Sequence, residues 1–306
     1  MGKILAITGA TGKKSGGGIV QILSDHKAEV LEKFSDGVRV LVRPASNTSK
    51  LDAAPIDFEK QYGELTDSVF LQKALQGVDT ILHIATIKLS KNIVDAAVKC
   101  HVRRLICVHT TGIYSRYKEA GEEYRNIDAY VEQQCRENNI GLTILRPTMI
   151  YGNINDNNVA HFIKMVDRLP LMPVVNGARY ELQPVHYMDL SEAYYRVLMS
   201  ENTVNHHYTL SGGEPILLRD MLLQIGNCLG KKVRFVSCPF AIAYAGAWAL
   251  YAVTLKKKDY REKVQRLCEP RVYSHDEAKR DFGYAPRIFS MGIVNEVEEY
   301  KAHRKG

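Results

Sequence analysis

The six cysteines of this 306-residue chain form no CxxC pair and no Cys/His ligand spacing. That excludes the common zinc modules and gives no sign of a disulfide framework, so no metal is expected. Long runs of one charge are also missing. Apart from Lys256, Lys257 and Lys258, the basic residues are scattered, and the net charge is only +7. Scattered charge of this kind is a solvated surface, so no nucleic-acid partner is expected, while an anionic small ligand fits the balance well. Internal repeats and low-complexity tracts are absent. The first residues run into an apolar strand without a signal-peptide pattern, and a reducing cytoplasm is the expected location. The length supplies one large or two modest domains with an ample core.

What the chain does contain is an alternation. Apolar strands read at 4–8, 38–42, 80–85, 104–110 and 142–147. Amphipathic stretches lie between them at Ile19 to Lys33, Ser68 to Gln76, Ser90 to Cys100 and Glu122 to Asn138. Near-continuous apolar strands separated by helices predict an α/β fold with a doubly wound parallel sheet of Rossmann type, covered on both faces. After Pro147 the pattern loosens into a loop at 150–158, a helix at 159–169, a strand near 208–213 and a helix from Leu218 to Leu229. The expected division is a dinucleotide-binding domain at 1–150 and a smaller, mostly substrate-binding domain at 151–306. Some segments of the second return to the first sheet.

Glycine is concentrated where the first strand meets the first helix, in TGATGKKSGGGIV at 8–20. Missing Cβ atoms let backbone amides reach a pyrophosphate there, and the helix N-terminus adds partial positive charge. A strand before and a helix after make dinucleotide binding the leading reading of this loop.

TGATG is followed in order by VRVLVRP, GELTD, ALQGVDTILHIA, NIVDAAVKCHVRRLICVHTTGIY, GLTILRPTMIYG and QPVHYMDLSEA. On these motifs the chain resembles the extended or atypical short-chain dehydrogenase/reductases of the NAD-dependent epimerase/dehydratase type. The resemblance places Gly9, Thr11, Gly12, Lys13, Gly16, Arg43, Glu64, Leu65, Ala85, Thr86 and Pro147 along the cofactor. The third glycine arrives at Gly16 rather than position 15, which implies a wider turn; Lys13 and Lys14 beside it read either as phosphate contacts or as solvent-facing charge. No carboxylate stands at the end of the second strand, where one would accept hydrogen bonds from a ribose 2′-hydroxyl. Arg43 stands there instead, and a guanidinium pairs with a 2′-phosphate, so NADP is expected ahead of NAD. Glu64 takes the place of the family's adenine-contacting Asp, and His83 and His186 are expected to be packed, hydrogen-bonded histidines.

The resemblance also implies a proton-exchanging Tyr, a Lys four residues on, and a Ser or Thr hydroxyl on the reacting oxygen. Thr110 and Thr111 are the hydroxyl candidates, though both equally suit strand ends bonded to backbone. Tyr114 and Lys118 form a literal YxxxK, but alignment by helix length favours Tyr124, whose fourth residue on is Asp128. Lys118 then has to reach in from the loop. Met149 stands where nucleotide-sugar relatives place a diphosphate-binding Asn, and Arg271 is a candidate phosphate contact.

Residues 235–255 carry no charge. The favoured reading is a helix of about 16 residues covering the substrate pocket, too short for the roughly 30 Å hydrocarbon core. The alternative is peripheral membrane contact. The expected function is an NADP(H)-dependent oxidoreductase, epimerase or dehydratase on a polar carbonyl or alcohol, such as a nucleotide-sugar derivative, in a chain that forms a homodimer. The rivals are a non-catalytic dinucleotide sensor or assembly subunit and an enzyme on a lipid-linked sugar at the membrane surface.

Overall fold

A computed structural model describes residues 3–12, 16–117, 119, 121–254 and 259–305. Six strands come first: β1 Ile4–Thr8, β2 Val38–Val42, β3 Phe58–Tyr62, β4 Val78–His83, β5 Arg104–Val108 and β6 Gly141–Pro147. With His206–Leu210 they form one seven-stranded sheet. Its order is His206–Leu210, β6, β5, β4, β1, β2, β3, and every pair is parallel. The expected doubly wound fold is the one present.

Helices α1 Gly16–Asp25, α2 Lys27–Lys33, α3 Ser49–Asp52, α4 Ser68–Ala74, α5 Ser90–Lys99 and α6 Gly121–Glu137 fall among these strands. The expected single helix from Ile19 to Lys33 is broken at His26, whose backbone (φ −107°, ψ 29°) leaves the helical region. β3 was not among the expected strands. It is the sheet edge, only Phe58 on it is buried, and its FEKQY sequence has no apolar run to announce it.

The rest of the chain adds α7 Val159–Arg168, α8 Tyr187–Met199, α9 Leu218–Leu229, α10 Phe240–Val253, α11 Arg261–Leu267, α12 Asp276–Phe282 and α13 Phe289–Lys305. One buried cluster lies on the sheet face shared with α1 and α8, a second on the face under α4, α5 and α6, and a third joins α7, α9 and α13. On the first face Gly18 presses on α8, where an added Cβ would stand 2.4 Å from the Ser191 hydroxyl. Arg104, fully buried at the start of β5, donates to the Val197 carbonyl at 2.9 Å and the Thr203 hydroxyl at 2.7 Å. It thus adds a donor to the Val197 carbonyl in the last turn of α8, which also accepts from the capping Ser200 N–H at 3.3 Å.

α10 contradicts the pocket-cover expectation. It is 14 residues long, only Ala247 on it is buried, and it packs chiefly on α11. The reason is its composition: apolar on every side, it has no polar face that would tell the outside from the inside.

α13 is tied down by charge. The Asp167 carboxylate on α7 accepts from Arg304 at 2.7 Å, from the Tyr300 hydroxyl at 2.9 Å and pairs with Lys231 at 2.6 Å. Further along α13, the fully buried Glu296 accepts from the Gly152 N–H at 2.8 Å. Burial first, and the Asp156 carboxylate beside it second, push the Glu296 carboxyl up to about 10 from its ordinary value near 4.5. Between those two values the folded chain holds a proton that the unfolded chain has released. Stability from this group is therefore full below about 4.5 and declines as pH rises toward about 10. Glu296→Gln keeps a neutral group in place. Urea unfolding across pH 5 to 8 should show the variant gaining on the wild type as pH rises, by at most about 1.4 kcal/mol per pH unit. Parallel profiles would contradict the protonated assignment.

Candidate active site

Strand order reverses between β1 and β4, and a doubly wound sheet opens a ligand crevice at the carboxyl ends of the strands that flank such a point. Here the two strands end level, Thr8 opposite His83. His83 is fully buried and its Nδ1 shares a 2.6 Å hydrogen bond with the Thr8 hydroxyl. Burial pushes its pKa down to about 3, so it is a neutral packing residue. His186 is likewise structural: its Nδ1 accepts from the Met188 N–H at the start of α8, and burial lowers its pKa to about 4.

The glycine turn lies directly on the β4 end. Gly9 has φ +81°, and a Cβ on it would stand 2.7 Å from the Ala85 nitrogen. A Cβ on Gly16 would stand 1.8 Å from the Gly9 carbonyl oxygen, and one on Gly12 2.9 Å from the same atom. Gly12 also donates its N–H to that oxygen at 2.9 Å. Gly12 is thus bare because the turn itself needs the room, a nearer cause than the pyrophosphate approach. Gly16, as expected, is the third glycine. Lys13, Lys14, Ser15 and Lys118 lie outside the described residues.

A cavity of about 380 Å³ adjoins this turn, lined by Thr11, Gly12, Gly17, Asn47, Lys50 and Glu299, among others. The Lys50 ammonium reaches to 3.7 Å from where a Gly17 Cβ would be, over the start of α1. Arg43 is exposed at the end of β2 and has no hydrogen-bond or ion-pair partner among the described residues. Glu64 and Thr86 are exposed, Ala85 is half-buried and Leu65 is buried. The bare glycines, the helix N-terminus and the Lys50 and Arg43 cations suit a dinucleotide's phosphates. Sequence reading missed Lys50 and Asn47, which lie in a loop with no motif of its own.

The end of β5 leads to a second cavity, about 200 Å³, lined by Thr110, Thr111, Thr148, Met149, Gln183 and Tyr273, among others. Thr110 accepts from the Gly112 N–H at 3.0 Å, and Thr111 donates to the Pro147 carbonyl at 3.1 Å. Thr110 therefore keeps its own hydroxyl proton for a ligand. Arg266 and Arg271 also line the cavity, each with a buried Nε that has no hydrogen-bond partner among the described residues, while the Arg266 guanidinium pairs with Glu262 at 3.6 Å. Burial, and then the like charge of Arg266, push the Arg271 guanidinium down to about 10. Two guanidinium groups held together in a polar cleft call for an anion. Arg271 was expected. Arg266 was not, since it sits in a charged helix with no pattern to mark it. Asn158 lines the same cavity as Met149, and its side-chain amide donates to the Ile150 carbonyl at 3.2 Å.

The catalytic tyrosine candidates lie apart from each other. Tyr114 is exposed and its ring rests on Tyr273, 5.6 Å between centroids. Tyr124 is half-buried on α6, against the cluster under that helix. One turn further, Asp128 is buried and fully engaged. It accepts from His109 Nδ1 at 2.6 Å and from Arg146 at 2.7 and 3.2 Å, while His109 Nε2 meets the Ser90 hydroxyl at 2.9 Å. Although burial opposes it, His109 and Arg146 hold the Asp128 carboxyl below the usual carboxylate range. With Arg146 paired to it and His109 hydrogen-bonded to it, Asp128 is not the lone negative charge beside Tyr124 that its position in the sequence implies. Lys88, after β4, pairs with Glu123 at 3.0 Å, and the Tyr124 phenol is the least of the groups that raise its pKa.

Residues 9–165 match the family described as NAD(P)H-binding. The chain is similar to an N-acetyl-alpha-D-glucosaminyl-diphospho-ditrans,octacis-undecaprenol 4-epimerase from Escherichia coli O157:H7, 20% identical over 281 residues, covering 80% of this chain and 84% of that one. It is also similar to a 2-alkyl-3-oxoalkanoate reductase from Stenotrophomonas maltophilia, 23% identical over 268 residues, covering 74% and 81%. Among solved structures, the UDP-glucuronic acid 4-epimerase from Bacillus cereus with UDP-glucuronic acid and NAD shares the fold. Its TM-score is 0.72 and its identity 17%, over 98% of this chain and 99% of that one.

Removing one partner from the buried Asp128–Arg146 pair leaves a charge without its counterion, which costs about 3–5 kcal/mol. Arg146→Met alone should therefore lower unfolding free energy by that amount in urea titrations. The double variant Asp128→Asn, Arg146→Met should recover most of the loss. Strictly additive losses would mean that the pair is not coupled.

Proposed function

The chain belongs to the NAD(P)H-binding family, and from that premise we propose that it is an NADP(H)-dependent oxidoreductase, epimerase or dehydratase. Its substrate is a polar carbonyl or alcohol compound bearing phosphate, with a nucleotide-sugar derivative as the leading class. The observation that carries this reading is the position of Thr110 and Thr111. They end β5 in the cavity where the unpartnered Nε atoms of Arg266 and Arg271 are buried, two strands from the glycine turn. A substrate whose phosphate meets those arginines has its reacting oxygen within reach of the Thr110 hydroxyl. The E. coli and B. cereus relatives, named for diphospho- or UDP-linked sugars, support the class. In this reading residues 1–150 hold the cofactor and 151–306 supply most of the substrate contacts.

When bound, the nicotinamide supplies hydride transfer to and from the substrate carbon. The chain's part is to hold and to move protons. Gly9, Thr11, Gly12 and Gly16 cradle the pyrophosphate, and Glu64, Leu65, Ala85, Thr86 and Pro147 flank the rest. Arg43, joined by Lys50, takes the 2′-phosphate. The Tyr124 phenol exchanges the proton, and Lys88 is the cation that favours its phenolate, in the role otherwise given to Lys118. A second reading has its own observation. Asp128 stands at the family's lysine position and is spent on Arg146 and His109, which suits a dinucleotide sensor without turnover.

Two experiments test these assignments. Losing a charge-assisted contact to the 2′-phosphate should cost about tenfold to a hundredfold in affinity. In fluorescence titrations Arg43→Ala and Lys50→Ala should each weaken NADPH by that factor and leave NADH unchanged. Equal wild-type affinity for both cofactors would overturn the NADP assignment. In a screen of nucleotide sugars and simple carbonyl compounds with NADPH, Tyr124→Phe should lower turnover by about 10²–10⁴ while cofactor binding persists. Lys88→Met should move the phenol-dependent limb of the pH–rate profile to higher pH. If Tyr114→Phe abolishes activity instead, the Tyr114–Lys118 pair is the site; no turnover with any substrate favours the sensor.

A further inference from the structure

We propose that α10 is a docking helix that lies along the headgroup layer of an anionic phospholipid bilayer without crossing it. The proposal stands independently of the chemistry above.

The helix FAIAYAGAWALYAV has no polar side chain except the hydroxyls of Tyr244 and Tyr251. Ile242 is 63% exposed, Trp248 52% and Val253 82%, so a continuous apolar face looks away from the protein. A face of that kind on a folded chain marks a contact surface. It is also held firmly. The Phe240 N–H donates to the Asn176 side chain at 2.9 Å, and at the other end the Arg261 guanidinium stacks 4.0 Å over the Tyr251 ring. At 14 residues the helix is about 21 Å long, against a hydrocarbon core of about 30 Å. No helix among the described residues is long and apolar enough to cross a membrane.

Charge selects the occupant. In the sequence Lys256, Lys257 and Lys258 follow the helix before the first acid, with Arg261 and Lys263 soon after. On the N-terminal side, Lys232 and Arg234 are exposed just before the strand that leads into the helix. Pairing with a second copy through this face, in either direction, sets one basic end against another. An anionic lipid surface attracts both ends, and Trp248, Tyr251 and Tyr260 are the residue types that settle at such an interface. Docking also puts α11, and with it the Arg266 end of the anion cavity, beside the headgroups.

Trp248 is the only tryptophan in the chain and sits on the face in question, so its emission reads docking directly. Wild-type protein should show a blue shift and intensity rise with vesicles containing phosphatidylglycerol. Acyl-brominated lipid should quench it, salt should weaken the response, and pure phosphatidylcholine should give little. Ile242→Glu with Val253→Glu should abolish the shift while the melting temperature holds, since both side chains are exposed. Gln at 256, 257 and 258 should weaken vesicle affinity on the order of a hundredfold. No Trp248 response to anionic vesicles would overturn the proposal. So would a blue shift that rises with protein concentration alone and tracks dimer formation in sedimentation, which would make a second copy the occupant.

Discussion

One contact fixes the rest of the site: the Gly9 backbone, wedged between the end of β4 and the start of α1. A Cβ on Gly9 would overlap the Ala85 nitrogen, and a Cβ on Gly16 would lie inside the Gly9 carbonyl. Only because both are absent can α1 begin beside the strand pair β1–β4, which puts the helix N-terminus at the crevice. The strand order, which turns back between these two strands, leaves the crevice open above them. Backbone clearance, more than any side chain, therefore decides where α1 starts relative to the crevice.

The cations of the fold fall into two groups. Arg104, Arg146 and the partners of Asp167 are spent on carbonyls and carboxylates inside the protein. The Arg43 side chain has no partner among the described residues; Arg266 pairs with Glu262 at 3.6 Å, but its Nε and that of Arg271 are buried without a hydrogen-bond partner among those residues. A buried donor left unpaired costs free energy, so its persistence beside a polar cavity points to a ligand that completes it. In the proposed function, the cations near the glycine turn serve the cofactor and those across from Thr110 the substrate.

Much of this was legible in the sequence. β1 and β2 are apolar runs bounded by turn residues, and their expected limits coincide with the observed ones. The glycine spacing marked the cradle because only backbone clearance explains so many glycines there. β3 was not legible, since an edge strand with one buried residue has no apolar period. Lys50 and Arg266 were hidden for a different reason: they reach the site from segments far along the chain, and a lone cation carries no pattern. Asp128 was visible as a missing lysine, but its partners were not. Arg146 lies 18 residues on and His109 19 residues back, and only the β5–β6 pairing brings both to α6. α10 misled because lack of charge reads as burial, whereas the helix is exposed.

The central claim is that a dinucleotide lies across the β1 and β4 ends, over the glycine turn. Amide hydrogen exchange tests it without any assumption about substrate. Saturating NADPH should slow exchange at Gly12, Gly16 to Gly18 and Ala85, leaving α9 and the strand His206–Leu210 at the far sheet edge unchanged. Protection confined to that far edge, or none near the turn at saturation, would contradict the placement of the cofactor.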